Sequence, residues 1–342
     1  MELQITWFVL WGVLWAVYFM LDGFVLGTGM LYLPLGKGEK DRRALLNAIG
    51  PVWNGNEVWL LTAGGATFAA FPTTYALMFS YLYTALLLLL FSLIIRGVSV
   101  EFHGKREGKL WERSWNVGIA FGSAVPALLF GVAFGNIFQG LPMDSAGYHG
   151  SLLSLLNPYG LLTGIVFVVL FLVHGALYIS VKISGPMAKQ AAGTAGKLWY
   201  VELIGAVAFL GYTYFATKLF DNYVARPYLL AIPLAAVAGL CCIKLFAAKK
   251  QMFRAFISSC AAILFVVATG VAGLFPNLIP SSIDANYSLT IFNSSSSQGT
   301  LAIMTVVALV FVPIVIGYKI WVYRVFREKV SPDTAVRDPL GY

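Results

Sequence analysis

The chain has 342 residues, of which 59% are hydrophobic and only 11% charged, with a formal net charge of +8. That balance lies far from soluble globular composition and points to a membrane protein. The basic residues are spread over separate short loops instead of one patch, which argues against a nucleic-acid partner.

Runs of about 20 apolar residues can cross a hydrocarbon core of about 30 Å as helix. In chain order they fall at 7–33, 52–71, 75–95, 115–139, 159–181, 198–217, 227–243, 255–275 and 301–322. Lipid-facing backbone must hydrogen-bond to itself, and the alternation of a membrane β-barrel is missing. The expected fold is therefore an all-α integral membrane protein with nine transmembrane helices. The run at 227–243 is the shortest.

The connections set the orientation. Lys37, Lys40, Arg42 and Arg43 follow the first run; Arg96, Lys105, Arg106, Lys109 and Arg113 follow the third. Lys182, Lys189 and Lys197 follow the fifth, and Lys244, Lys249, Lys250 and Arg254 the seventh. The end of the chain carries Lys319, Arg324, Arg327, Lys329 and Arg337. All these groups share one parity, and only Lys218 and Arg226 lie opposite. The positive-inside rule then puts the N-terminus outside and the C-terminus in the cytoplasm.

Several functions are disfavoured. The first run is too long, and its start too poor in positive charge, for a cleaved signal peptide. Cys241, Cys242 and Cys260 lie in spans with no Cys-x-x-Cys, so neither a disulfide framework nor a zinc site is expected. No phosphate-binding glycine loop is present, which speaks against an ATP-driven pump.

The long outer connections, 140–158 and 276–299, lack Lys and Arg. Each follows a Gly-Val-Ala step, Gly131-Val132-Ala133 and Gly270-Val271-Ala272. This pattern suggests one membrane domain over 1–342. It would hold a lead helix (7–33), two four-helix bundles (52–181 and 198–322) and a cytoplasmic tail (323–342). Coincidence of small residues in packed helices is the competing explanation.

Ionisable groups inside a bilayer are costly and need a reason. Asp22 lies roughly 18 Å from the inner end of its helix and Glu57 roughly 8 Å from the inner end of its own, while Glu101 is at the inner surface. They read as a descending series suited to proton uptake, with Asn54, Asn56, Thr62 and Thr67 as polar links. The alternative is that Asp22 and Glu57 are structural, held by bonds between helices. His174 is the one histidine deep in a span, since His103 and His149 fall in loops. A bis-histidine haem is thereby excluded, and a hydrogen-bonded role is expected for it. Trp7, Trp11, Trp15 and Tyr18 form one stripe, either beside a quinone or haem or simply packing. A chain so poor in ligands looks like the partner of a cofactor-bearing subunit. A secondary transporter and a purely structural partner subunit are the alternatives.

Several motifs point to one family. They are Asp22-Gly23-Phe24 with Gly27-x-Gly29; Trp53-Asn54-Gly55-Asn56-Glu57-Val58-Trp59-Leu60; and Thr62-Ala63-Gly64-Gly65-Ala66. Further on come Gly131-Val132-Ala133-Phe134-Gly135-Asn136, Asn157-Pro158-Tyr159-Gly160-Leu161-Leu162, and Pro280-Ser281-Ser282 with Ser297-Gln298. Over essentially its whole length the chain resembles subunit II of the cytochrome bd quinol oxidases.

The resemblance implies a haem-free membrane subunit with no catalysis of its own. Its partner would be a haem-bearing subunit I carrying haems b and d, with a small third subunit left open. The complex would oxidise quinol, reduce dioxygen to water with cytoplasmic protons, and sit in a bacterial or archaeal plasma membrane. It also implies carboxyls of this subunit near the subunit interface, facing the oxygen site. The expected proton path is Asp22, Glu57, Glu101 and Asn54. Trp53, Trp59 and Trp11 are the expected interface or cofactor neighbours. In many relatives the position of Asn54 is Asp and that of Glu57 is Gln, so here the acid sits one turn later on a similar face.

Overall fold

The computed structural model describes residues 1–106 and 108–333. Twelve α-helices account for most of them: α1 Glu2–Leu35, α2 Glu39–Ile49, α3 Trp53–Ala70, α4 Pro72–Tyr81, α5 Tyr83–Phe102, α6 Lys109–Gln139, α7 Pro158–Lys182, α8 Pro186–Ala216, α9 Asp221–Ala225, α10 Ala231–Ala248, α11 Met252–Leu274 and α12 Gln298–Val325. Two small antiparallel hairpins lie outside the helices, β1 (Met143–Asp144) with β2 (Gly147–Tyr148), and β3 (Asn277–Ile279) with β4 (Leu289–Thr290).

Among the described residues, eight helical stretches are long and apolar enough to cross a membrane. The remaining expected span, 52–71, is helix α3, which Asn54, Asn56, Glu57 and several glycines make too polar to join them on composition. The expected third span is broken at Leu82 into α4 and α5. The expected inner loop before 198 is mostly helix, because Pro186 starts α8 just after Gly185, whose φ of +81° suits glycine. Helix α2 lies in the charged connection after the first run. Its charges and apolar residues divide between two faces, and Ala44, Leu45, Ala48 and Ile49 are buried. Of the expected tail, Arg337 lies outside the described residues.

α1 is the central helix and packs against α3, α6, α7 and α11. Small residues permit this. A Cβ on Gly27 would run into the Phe171 carbonyl and Gly175 of α7, so the two backbones touch. Gly131 meets Gly164 in the same way, with a Cβ there lying 2.6 Å from Gly164 Cα. Helix α12, in contrast, buries only Leu301. The connections 140–158 and 276–299 each fold into a hairpin, and they pair with each other where Leu141 N–H donates to Pro280 O and Ser282 N–H to Leu141 O, each at 2.9 Å.

Candidate functional site

Arg96 organises the polar centre of the chain. It is 1% exposed on α5, and its guanidinium spans two helices. Nη1 donates to Asp22 Oδ2 of α1 and Nη2 to Glu57 Oε2 of α3, both at 3.0 Å. Tyr18 O–H also donates to Asp22 Oδ2, at 3.3 Å. Asp22 is fully buried, whereas the Glu57 side chain keeps 23% exposure. Asp22 Oδ1 and Arg96 Nε are buried with no hydrogen-bond partner among the described residues. A buried ion pair of this kind is held by geometry more than by net energy, and losing one partner is what costs.

The neighbouring polar shell ties α3 to α1 and α12. Asn56 Nδ2 donates to Leu21 O at 2.8 Å, and Asn56 Oδ1 accepts from Tyr323 O–H at 3.0 Å and from Lys319 Nζ at 3.4 Å. The Lys319 ammonium sits where a Cβ on Gly55 would go, so that glycine makes room for a second cation near the acids.

A second polar node lies near the C-terminal ends of α1 and α5 and the start of α6. Tyr32 O–H donates to Asn116 Oδ1 at 2.9 Å, and His103 Nε2 lies 2.8 Å from that oxygen and 3.1 Å from the tyrosine oxygen. Glu112 Oε1 accepts from Arg42 Nη1 at 2.7 Å and from Asn116 Nδ2 at 3.4 Å. Burial pushes the His103 imidazole below its usual range, against the pull of its Asn116 bond and of Glu112.

The expected site residues fall into three groups. Asp22 and Glu57 are brought together, but not as steps of a staircase. They share one guanidinium and so lie at one level, because the inner part of α1 runs on past the start of α3. Asn54 is exposed one turn before Glu57, and Glu101 is exposed on α5 about 140° around the helix from Arg96. Trp11, Trp53 and Trp59 are 6–7% exposed and pack inside the chain instead of presenting their rings to a partner. Trp11 Nε1 donates to Thr67 Oγ1 at 3.1 Å, and Trp53 packs against Gly97. The aromatic stripe of α1 is likewise interhelical, Trp15 meeting Phe134 edge-on at 5.3 Å.

His174 has both ring nitrogens engaged. Nε2 donates to Met20 O at 2.9 Å, Nδ1 is 2.6 Å from Ser259 Oγ, and the ring stacks on Phe256 at 4.9 Å. Neither nitrogen is free for iron, and the described residues hold no group of three His, Cys, Asp or Glu placed for a metal. His174 is thus held as a hydrogen-bonded residue between helices.

Residues 3–326 match the family model described as cytochrome bd terminal oxidase subunit II. The chain belongs to the cytochrome bd terminal oxidase subunit II family. It is 36% identical to cytochrome bd ubiquinol oxidase subunit 2 of Bacillus subtilis (strain 168), over 100% of this chain and 99% of that protein. It is also 36% identical to cytochrome bd-I ubiquinol oxidase subunit 2 of Escherichia coli (strain K12), over 97% of each. Its fold is similar to a chain of the bd oxidase from Geobacillus thermodenitrificans, with a TM-score of 0.78 and 16% identity over 95% of this chain and 99% of that one. The protein is thus a multi-pass membrane subunit of an oxidoreductase complex.

Two members of the subunit II charge cluster escaped the sequence reading. Arg96 was counted with the inner loop, because an apolar run seems to end at its first charge. Lys319, inside the last run, was grouped with the basic residues at the end of the chain. A signal for Arg96 was present: Ser92, Arg96, Ser99 and His103 recur at helical spacing on one face of α5.

Proposed function

We propose that this chain is the haem-free membrane subunit of a quinol:dioxygen oxidoreductase that reduces oxygen to water, and that Asp22, Arg96 and Glu57 form the centre of its cytoplasmic proton-uptake path. The carrying observation is one guanidinium bridging two carboxyls at membrane depth. Arg96 supplies one positive charge against two acids, so the cluster can take up or release a proton while the cation stays in place. Lys319 adds a movable second cation. A carboxyl both accepts and gives a proton, which amide or hydroxyl neighbours cannot do alone. Asn54 and Glu101 flank this centre on the partner-facing and cytoplasmic sides.

Haems b and d belong to the partner subunit in this reading, where they carry electrons from quinol and reduce oxygen. The face of α3 and α12 is where that haem-bearing subunit I docks. Partly exposed Glu57, exposed Asn54 and half-buried Lys319 lie there, and lipid cannot satisfy such groups. α12 is also hardly covered by its own chain. The N-terminus lies outside and the C-terminus in the cytoplasm, as the charge asymmetry requires.

The test is purification of the native complex through a tag on this chain. Haem absorption and quinol-driven oxygen consumption should copurify with it. A pure chain with neither, yet active in substrate exchange, would favour a transporter and discard the oxidase reading.

A further inference from the structure

We propose that His103, held between Tyr32 and Asn116, is the group through which cytoplasmic protons enter this path, ahead of Glu101. The inference rests on the proton-path reading above and names its cytoplasmic mouth.

The placement comes from three helices. Ser92, Arg96 and Ser99 on α5 and His103, the helical-conformation residue that caps it, follow one face at spacings of four, three and four residues, so His103 stands on the face that carries Arg96 to the acids. Glu101 does not, and its exposed side chain lies on another side of the helix. On α6, Glu112, Asn116 and Ser123 recur in the same manner, and on α1 Tyr32 lies one turn beyond Thr28. His103 closes the junction, 2.8 Å from Asn116 Oδ1 and 3.1 Å from Tyr32 Oη.

Outward from this node, Asn116 Nδ2 donates to Glu112, whose side chain is 42% exposed, and Arg42 holds the same oxygen. Inward, His103 is about 10 Å from Arg96 along the helix, at seven residues' rise. Ser99 (0% exposed) lies in that interval, and Thr28 (1%) has a buried hydroxyl with no hydrogen-bond partner among the described residues. Such hydroxyls suit a chain of ordered water, which needs polar partners at each step.

The chemistry is a proton transfer without bond rearrangement. The neutral imidazole takes a proton from the cytoplasmic side on one nitrogen and gives it up on the inner side, returning to neutral. The charged groups facing it are Glu112 of α6 and Arg42 and Arg43 of α2, with Tyr32 of α1 as the neutral neighbour. Burial keeps the ring neutral at rest and the arginines reinforce this, while Glu112 and Asn116 favour its protonated form. Asn116 and Tyr32 are positioning residues that fix the ring.

The experiment uses the assembled complex with its haems. His103→Ala should slow quinol-driven oxygen consumption about tenfold, with normal haem content, and added imidazole should restore most of it. His103→Gln keeps an amide at the node but cannot titrate, so it should be equally slow, unrescued by imidazole, and should flatten the pH profile on the acid side of neutrality. Full turnover of His103→Gln overturns the proposal, as does a larger loss in Glu101→Gln than in His103→Gln. Failure of both His103 variants to assemble also overturns it, by making the histidine structural. The underlying path fails separately, if the Asp22→Asn, Glu57→Gln double variant turns over normally whatever His103 does.

Discussion

Arg96 decides what the two buried acids can do. With the guanidinium present, both carboxyls face a fixed cation. Without it, Asp22 is left at 0% exposure with Tyr18 O–H as its remaining donor. Arg96→Gln should therefore destabilise the complex by about 3–5 kcal/mol, and Arg96→Lys by less, since an ammonium can still reach one carboxyl. Thermal denaturation of the solubilised complex measures this, and equal melting of wild type and Arg96→Gln would contradict the buried triad. At this scale the acids were legible because charges stand out in an apolar run. Their partner was not, because hydropathy read along a line cannot distinguish an arginine that ends a span from one that turns inward on its last turns.

Helix α1 shows why the elements pack as they do. Its glycines at 27 and 29 allow α7 and α6 to approach within backbone and hydroxyl contact, Gly27 against Phe171 and Gly175, Gly29 against Ser123. A methyl group at Gly27 meets backbone, which cannot move aside cheaply, whereas one at Gly55 meets the flexible end of Lys319. Gly27→Ala should cost about 1–3 kcal/mol or more and reduce the yield of assembled complex, while Gly55→Ala should assemble. Quantifying complex by its haem absorbance after expression at equal levels checks both, and normal yield for Gly27→Ala would refute the close α1–α7 contact. Most spans were legible from length and apolarity. α2 was not, since an 11-residue amphipathic helix reads like a charged loop until its apolar face finds α7. The hairpins of the outer connections were illegible too, because strands of two or three residues leave no periodicity.

For the whole molecule, the proposed orientation rests on where the basic residues lie. Reporter fusions after Phe71, Asn157 and Ser295 should read as outside, and fusions after Lys40, Lys105, Lys189 and Lys250 as cytoplasmic; inversion at two or more sites would sink the nine-crossing topology, α3 included. In the proposed orientation the His103 node lies on the cytoplasmic side and the Asp22–Arg96–Glu57 cluster deeper, which is the order proton uptake needs. The most direct measurement is proton uptake by the Asp22→Asn, Glu57→Gln complex during a single round of oxygen reduction, followed with a pH indicator dye. Both substitutions keep shape and some hydrogen bonding to Arg96 but remove titration and its counter-charges, so less complex should assemble, and uptake and turnover per haem in what does assemble should fall at least about tenfold. Uptake at the wild-type rate in that double variant would contradict a proton path through these two acids.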